Sequence, residues 1–453
     1  MTQVLEAIVG LIWGDEGKGK SVDERATEIK EKNPGKRLVV VRYQGGNNAG
    51  HSTHVTLPNG KTIKFVTHAA PTGLTNNSDI AIGPSVAFNP ESFFGELMQA
   101  QDLFNYDGRI MISERAGVLL DYHKLIDISR ESSKAPSGKI GTTARGIGPF
   151  YEDNARRVTR ITFHDYISTL FPKKLKEVLE LKRHELEGLG ININDLFLEL
   201  VGRHEHVRKE LAPFAKNLEY RLREYLNNGD SILIEGAQGT YLDVDLGSIP
   251  HVSSSHILAP HAFASLGLPR KLFRVIGVEK IYPTRVGDGI LPTLSGPEFG
   301  EIVVERGVEV GASTGRRRRA GYPDWVLIKR AVMLNDCDEI FLTRADVIQD
   351  LDVKVCTGYN INGRVTDEVP FDLSTIISPV YLHQTFRWHL WDEPTGVDKE
   401  TASRILRETR SRYVKEGFAS LPTGLLDFVS MHDKYVGCPT IEIGIGPHRG
   451  ETV

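Results

Sequence analysis

Cysteine is scarce: Cys337, Cys356 and Cys438 are the only three in 453 residues. They are odd in number and far apart, which excludes a disulfide framework and a zinc site built on close ligand pairs. That usage fits a reducing, cytoplasmic compartment. No run approaches the roughly 18 consecutive apolar residues of a bilayer span, so no membrane association is expected. The opening stretch, MTQVLEAIVGLIWGDEGKGK, has an apolar run that is short and lacks a basic flank. It reads as a first strand, not a signal peptide. An excess of positive charge is also missing: the net charge is −4, with both signs spread along the chain. That balance disfavours a general nucleic-acid binder. There is no fixed-period repeat and no low-complexity linker.

What is present is ordinary for a soluble globular protein, with 40% hydrophobic and 25% charged residues. Val4–Ile12 is a short apolar run, followed by a glycine loop at Gly14–Lys20, a helix-period segment at Ser21–Glu31 and a buried-type strand at Arg37–Tyr43. This strand–helix–strand order predicts a parallel sheet. Similar apolar runs recur at Arg109–Ser113, Ser231–Ile234, Phe273–Val278 and Glu339–Thr343. Helical patterns at Lys173–Glu187, Glu205–Asn227 and Asp324–Leu334 separate them. The expected architecture is α/β, a large, mainly parallel central sheet with flanking helices and helical insertions. One domain spanning residues 1–453 is the simplest division.

Several glycine loops carry the chemistry. Gly14-Asp15-Glu16-Gly17-Lys18-Gly19-Lys20-Ser21 reads as G-x-x-x-x-G-K-S between a strand and a helix. Glycines there let backbone N–H groups approach phosphates at a helix N-terminus. Asp15 is unusual in such a cradle, because a carboxylate repels phosphate unless it binds Mg²⁺ or takes up a proton. Tyr43–His51 (YQGGNNAGH) follows the next strand and is expected beside the first loop. Its His51 can act as an acid or a polarising donor near pH 7. Gly141–Pro149 offers hydroxyls and flexible backbone to a phosphate. Gln238, in Glu235–Thr240, follows the SILI strand and can present its amide to a base edge. Gly311–Arg319 (GASTGRRRR) sets two hydroxyls beside four arginines, whose forks suit carboxylate or phosphate. Asp346, after the EIFLT strand, can accept from guanine N1–H and N2–H₂.

Taken together and in this order, these segments resemble the adenylosuccinate synthetase family. The matching stretches are WGDEGKGK (13–20), YQGGNNAGH (43–51), LDYH (120–123), IGTTARGIGP (140–149), EGAQGT (235–240), TRVGDG (284–289), GASTGRRRR (311–319), TRAD (343–346) and GIGPHR (444–449). The resemblance implies a P-loop-GTPase-related fold, usually a homodimer, and GTP-dependent ligation of L-aspartate to C6 of IMP through 6-phosphoryl-IMP. It implies Mg²⁺ as cofactor, held by Asp15 and the Gly50 carbonyl. Asp15 would take the N1 proton of IMP, with His51, Lys18 and Gln238 as the other catalytic groups. Asn48, Thr143, Gln238, Ser253 and Arg316 would face the purine nucleotide. Arg156 would reach the neighbouring subunit's nucleotide, although one residue is missing between Tyr151 and Arg156 and Arg157 competes. Ser313, Thr314, Arg316 and Arg318 would bind aspartate. Gly14, Glu16, Gly17, Lys18, Gly19, Lys20, Ser52, Arg318, Arg344, Asp346, Gly444 and Gly446 would line the GTP site.

The chain departs from the family pattern at Ile12, Asn47, Ala144, Ser253, His256, Ser313, Asp288, Arg344 and His448. Several of these lie on the purine and aspartate sides, whereas Asp15 and His51 are kept. A paralogue acting on another 6-oxopurine nucleotide such as dGMP is the alternative. Phage-encoded relatives with that activity tend to lose the loop aspartate. A P-loop binding module without ligase activity would need neither Asp15, His51 nor the arginine loop.

Overall fold

The computed structural model describes residues 3–57, 60–133, 141–269, 273–311 and 315–453. Nine strands form one sheet: Leu5–Gly10 (β1), Leu38–Arg42 (β2), Asp79–Ile82 (β3), Ile110–Ser113 (β4), Ala215–Lys216 (β5), Ser231–Glu235 (β6), Arg274–Lys280 (β7), Glu339–Thr343 (β8) and Thr440–Ile443 (β9). Their order is β9-β8-β7-β1-β6-β2-β3-β4-β5, and every pair is parallel. Both faces are covered, so the inner strands are apolar at consecutive positions and do not alternate with polar residues. Ile8, Val40 and Leu233 point to one face with Val22, Ala26 and Ile29 of helix α1 (Lys18–Lys32). Ala7, Val39, Val41, Ile232 and Ile234 point to the other, against Leu218, Leu222, Ala262 and Leu266. The spacing of Val22, Ala26 and Ile29 puts all three on one stripe of α1. Fully burying each of the two larger side chains contributes roughly 1.5–3 kcal/mol.

The expected strands are present within a residue or two of their ends. Two expected helices are each divided. Lys173–Glu187 becomes Phe171–Leu181 and Arg183–Gly188. The break falls at Lys182, whose ammonium turns inward to Asp153 at 2.8 Å. Glu205–Asn227 becomes the end of Ile193–Leu211 and the whole of Leu218–Asn227. Pro213 lacks the N–H that would continue the first helix, and the extended residues after it form edge strand β5. Among the described residues no helix is long and apolar enough to cross a membrane.

A buried ion pair links the sheet to the C-terminal helix Thr423–Val436: His432 Nε2 lies 3.0 Å from Glu279 Oε2 of β7, and its Nδ1 lies 3.0 Å from Asp433. Burial alone would lower the His432 pKa, but Glu279 and Asp433 outweigh it and raise the value to about 9. A histidine raised in the fold stabilises fully below its unfolded pKa, near 6.5, and loses that contribution as pH rises through about 9. Buried Lys280, lowered to about 8, acts in the opposite sense only above that value. Thermal denaturation between pH 6.5 and 8 should therefore show a falling midpoint, and Glu279→Gln should flatten that slope. Equal slopes in the two proteins would remove this pair from the pH dependence.

Candidate active site

Three loops leave the carboxyl ends of neighbouring strands β1, β6 and β2. The strand between the two glycine loops, β6, carries Glu235, Gly236, Ala237 and Gln238 out between them. The two loops thus flank a third at the strand ends and meet each other at Gly19 and His51. Contacts are close enough to need glycine at several points. A Cβ on Gly10 would meet Gln238 O at 2.6 Å, and one on Gly45 would meet Ala237 Cβ at 2.8 Å. Gln44 donates to Ala237 O at 2.6 Å.

The first loop turns through Gly14, Asp15 and Gly17, all at positive φ, and enters α1 at Lys18. Asp15 is a non-glycine residue at φ 61°, in the left-handed region that aspartate enters more readily than most side chains. Glu16 is buried and folds back: it accepts from Ile12 N at 3.1 Å and Gly14 N at 2.7 Å, and pairs with buried Lys18 at 2.5 Å. Gly19 abuts the second loop, where a Cβ would lie 3.0 Å from His51 Cβ and 3.1 Å from Ser52 N.

His51 was expected in a loop, but it opens a hairpin strand, His51–Thr56, paired with Thr62–Thr67. The β-branched residues after it favour strand. Its Nδ1 makes a very short contact with Glu235. Glu235 is wholly buried and also accepts from Thr72 N at 2.7 Å and Thr72 Oγ1 at 2.9 Å, with Arg42 at 3.4 Å. Burial would raise the Glu235 pKa, but His51, Arg42 and Thr72 outweigh it and hold it low. Burial lowers that of His51 despite Glu235. The arrangement is an ionised carboxylate that orients the imidazole through Nδ1 and offers a counter-charge when the ring is protonated. Glu235 stood inside a quoted motif but had no role; the signal was a carboxylate ending an apolar strand before glycine.

Gln238 has φ 59°, and its side-chain nitrogen and oxygen are buried without a partner among the described residues. Asn48 donates to Ser253 Oγ at 3.4 Å, so these two expected nucleotide residues meet. Asp127, also missed, holds the 141–146 loop through Thr142 Oγ1 at 3.0 Å and Gly146 N at 2.9 Å. Arg316 donates to Gly141 O at 2.9 Å, which brings the arginine loop onto that one, and Thr143 beside it is half-buried. Ser313 and Thr314 lie outside the described residues.

Arg318 Nη2 lies 2.6 Å from Asp15 Oδ2, joining the arginine loop to the first glycine loop. The expected GTP residues also converge. Thr343 Oγ1 donates to Glu16 O at 2.6 Å, Ala345 N to Gly444 O at 3.2 Å, and Lys20 Nζ to Gly446 O at 2.8 Å. Buried Asp346 Oδ1 has no partner among the described residues. Arg344, at φ 71°, directs its guanidinium to Gly307 O, Tyr282 and Glu309. Arg156 and Arg157 stand apart at the end of helix Ile147–Arg156, both exposed and neither in an ion pair with a described residue.

The profile of the family described as adenylosuccinate synthetase matches residues 7–453. The adenylosuccinate synthetase of Geotalea daltonii is 38% identical over 455 aligned residues, covering 98% of this chain and 97% of its own. The chain belongs to the adenylosuccinate synthetase family. The synthetase of Geotalea uraniireducens is likewise 38% identical, over 98% of this chain and 97% of its own. A fully ligated adenylosuccinate synthetase from Plasmodium falciparum superposes with a TM-score of 0.81 at 28% identity, covering 99% of each chain. The cyanophage S-2L succinoaminodeoxyadenylate synthetase, bound to dGMP and dATP, shares the fold at a TM-score of 0.61 and 17% identity, over 100% of this chain and 95% of its own. Members of the family are ligases that form a C–N bond in purine biosynthesis, and this chain is an enzyme of that class.

Glu235→Gln should lower kcat by about 10² while changing substrate KM values little, because it removes the charge that supports His51. Unchanged kcat would show that His51 needs no ionised partner.

Proposed function

We propose that the chain ligates L-aspartate to C6 of IMP with GTP, giving adenylosuccinate, GDP and phosphate. The observation that carries this reading is the unpartnered amide of Gln238 between the Asp15 and His51 loops. A buried amide with both ends free costs about 1–3 kcal/mol unless a ligand satisfies it. A purine edge offers both a donor and an acceptor.

Asp15 accepts the N1 proton of IMP. The O6 oxygen gains the electron pair and attacks the γ-phosphorus, and the bond to the bridging oxygen of GDP breaks. His51, oriented by Glu235, and Lys18 offset the charge on the phosphoryl group. The amino group of aspartate then attacks C6, phosphate leaves, and the amine loses its proton. Positioning and charge neutralisation supply most of the rate. Gln238, Asn48, Ser253, Thr143 and Arg316 hold the nucleotide.

Magnesium fits the donor set, since Asp15 Oδ1 accepts no hydrogen bond from a described residue, and a carboxylate and a carbonyl are hard oxygen ligands. Asp15 and the Gly50 carbonyl would hold the ion, which when bound neutralises phosphate charge. Asp346 accepts from guanine. In a cytoplasmic homodimer, exposed Arg156 reaches the neighbouring copy's nucleotide. Retention of Asp15 favours IMP over dGMP as acceptor. An assay of GDP release with IMP, GMP and dGMP offered in turn tests this, and preference for a nucleotide other than IMP would overturn it.

Asp15→Asn and His51→Ala should each reduce turnover by about 10² to 10⁴ with the fold intact. A variant with near-wild-type turnover would remove that residue from the mechanism. GTP should be preferred over ATP, since the inaccessible Oδ1 of Asp346 facing the wrong base costs about 1–3 kcal/mol; equal turnover with both would refute the assignment. Arg318→Lys should raise the aspartate KM far more than the IMP KM, because lysine keeps the charge but not the fork. Arg316→Lys should damage both.

A further inference from the structure

Glu309 is buried, 2% exposed, and sits at the meeting point of three cations. Its Oε2 lies 3.1 Å from Lys280 Nζ and makes a very short contact with Arg318 Nη1. Its Oε1 accepts from Tyr282 OH at 2.7 Å and lies 3.6 Å from Arg344 Nη2. Burial would raise the Glu309 pKa, but Lys280, Arg318 and Arg344 hold it at about 2, so the group stays ionised. Without that charge, buried Lys280 and Arg318 would lose the counter-ion they share.

The guanidinium of Arg318 shows what this accomplishes. Nη1 is taken by Glu309, Nη2 touches Asp15, and Nε is buried with no partner among the described residues. The Nε–Nη2 edge is the one that binds a carboxylate through two parallel hydrogen bonds, and half of it is unused. A guanidinium held only at its stem can present either edge, whereas one gripped at Nη1 presents this edge alone. Fixing it beforehand removes ordering cost at binding. Arg344 adds to the grip: its Nε reaches Tyr282 OH at 3.4 Å while Nη2 takes Gly307 O, two residues from Glu309. A lysine has a single point donor and cannot make both contacts.

We propose that Glu309 is a positioning residue for the aspartate subsite: it locks Arg318 so that the Nε–Nη2 edge receives a carboxylate of L-aspartate, and it ties that edge through Tyr282 and Arg344 to the loop bearing Asp346. This rests on the reading of Arg318 as an aspartate ligand. Steady-state kinetics on the full chain, varying GTP, IMP and L-aspartate in turn, test it. Glu309→Gln should raise the aspartate KM roughly 10- to 100-fold, the loss of one charge-assisted hydrogen bond, with the IMP KM within about twofold. Tyr282→Phe keeps every charge and removes one hydrogen bond to Glu309; it should raise the same KM about threefold, and it decides the matter if Glu309→Gln does not fold. Glu309→Gln should also add little in an Arg318→Lys background. An unchanged aspartate KM in Glu309→Gln, or an equal factor in both backgrounds, overturns the positioning role. If Arg318→Lys itself leaves that KM unchanged, the parent reading falls with it. If Arg318→Lys raises it and Glu309→Gln does not, only the positioning role is lost.

Discussion

Glu235 ends the fifth of nine strands with a carboxylate that solvent does not reach. Its partners come from three separate places: Arg42 on the adjacent strand, His51 on the hairpin and Thr72 on the turn that follows. Arg42 needs the ionised form, and Thr72 donates to it from both backbone N–H and hydroxyl. A neutral side chain there would leave a buried arginine without a counter-charge, which costs several kcal/mol. The same strand end carries Gln238 three residues further on. The carboxylate therefore sets how the imidazole points, at the strand end that leads on to Gln238.

A second carboxylate organises the other half of the site in a similar way. Glu309 gathers Lys280, Arg318 and Arg344, and Arg318 in turn reaches Asp15. The two networks are complementary. One orients the His51 imidazole, and the other gathers cations against Asp15 of the first glycine loop. Between them the backbone is strained at Asp15, Ala144, Gln238 and Arg344, all non-glycine residues at positive φ. Each lies in a loop that the sequence pattern had marked for chemistry. Such conformations persist only where the surrounding contacts over-determine them.

The departures from the family pattern take on physical content in this setting. The fork of Arg344 is used twice, on Gly307 O and on Tyr282. Ser253 keeps a hydroxyl that Asn48 reaches. Nothing in the structure explains Ile12 beyond its burial beside Trp13. Membership of the family rests on nearly the whole chain and survives these changes.

The glycine loops, the strands before them and the parallel sheet were legible in the sequence, since each is a local pattern of apolar runs, periodicity and turn residues. Asp15, His51, Gln238 and Arg318 stood out because polar groups in glycine-rich turns have no packing role. The helix breaks at Lys182 and Pro213 show the limit of that reading: a proline is visible locally, whereas a lysine turned inward to Asp153 is not. Strand order was likewise hidden. No local signal says that Ser231–Glu235 enters between Leu5–Gly10 and Leu38–Arg42, because the pairings join segments about 190 and about 230 residues apart. Glu235, Asp127 and Glu309 were passed over for the same reason. Their importance lies in which charges and N–H groups surround them, and only the tertiary structure decides that.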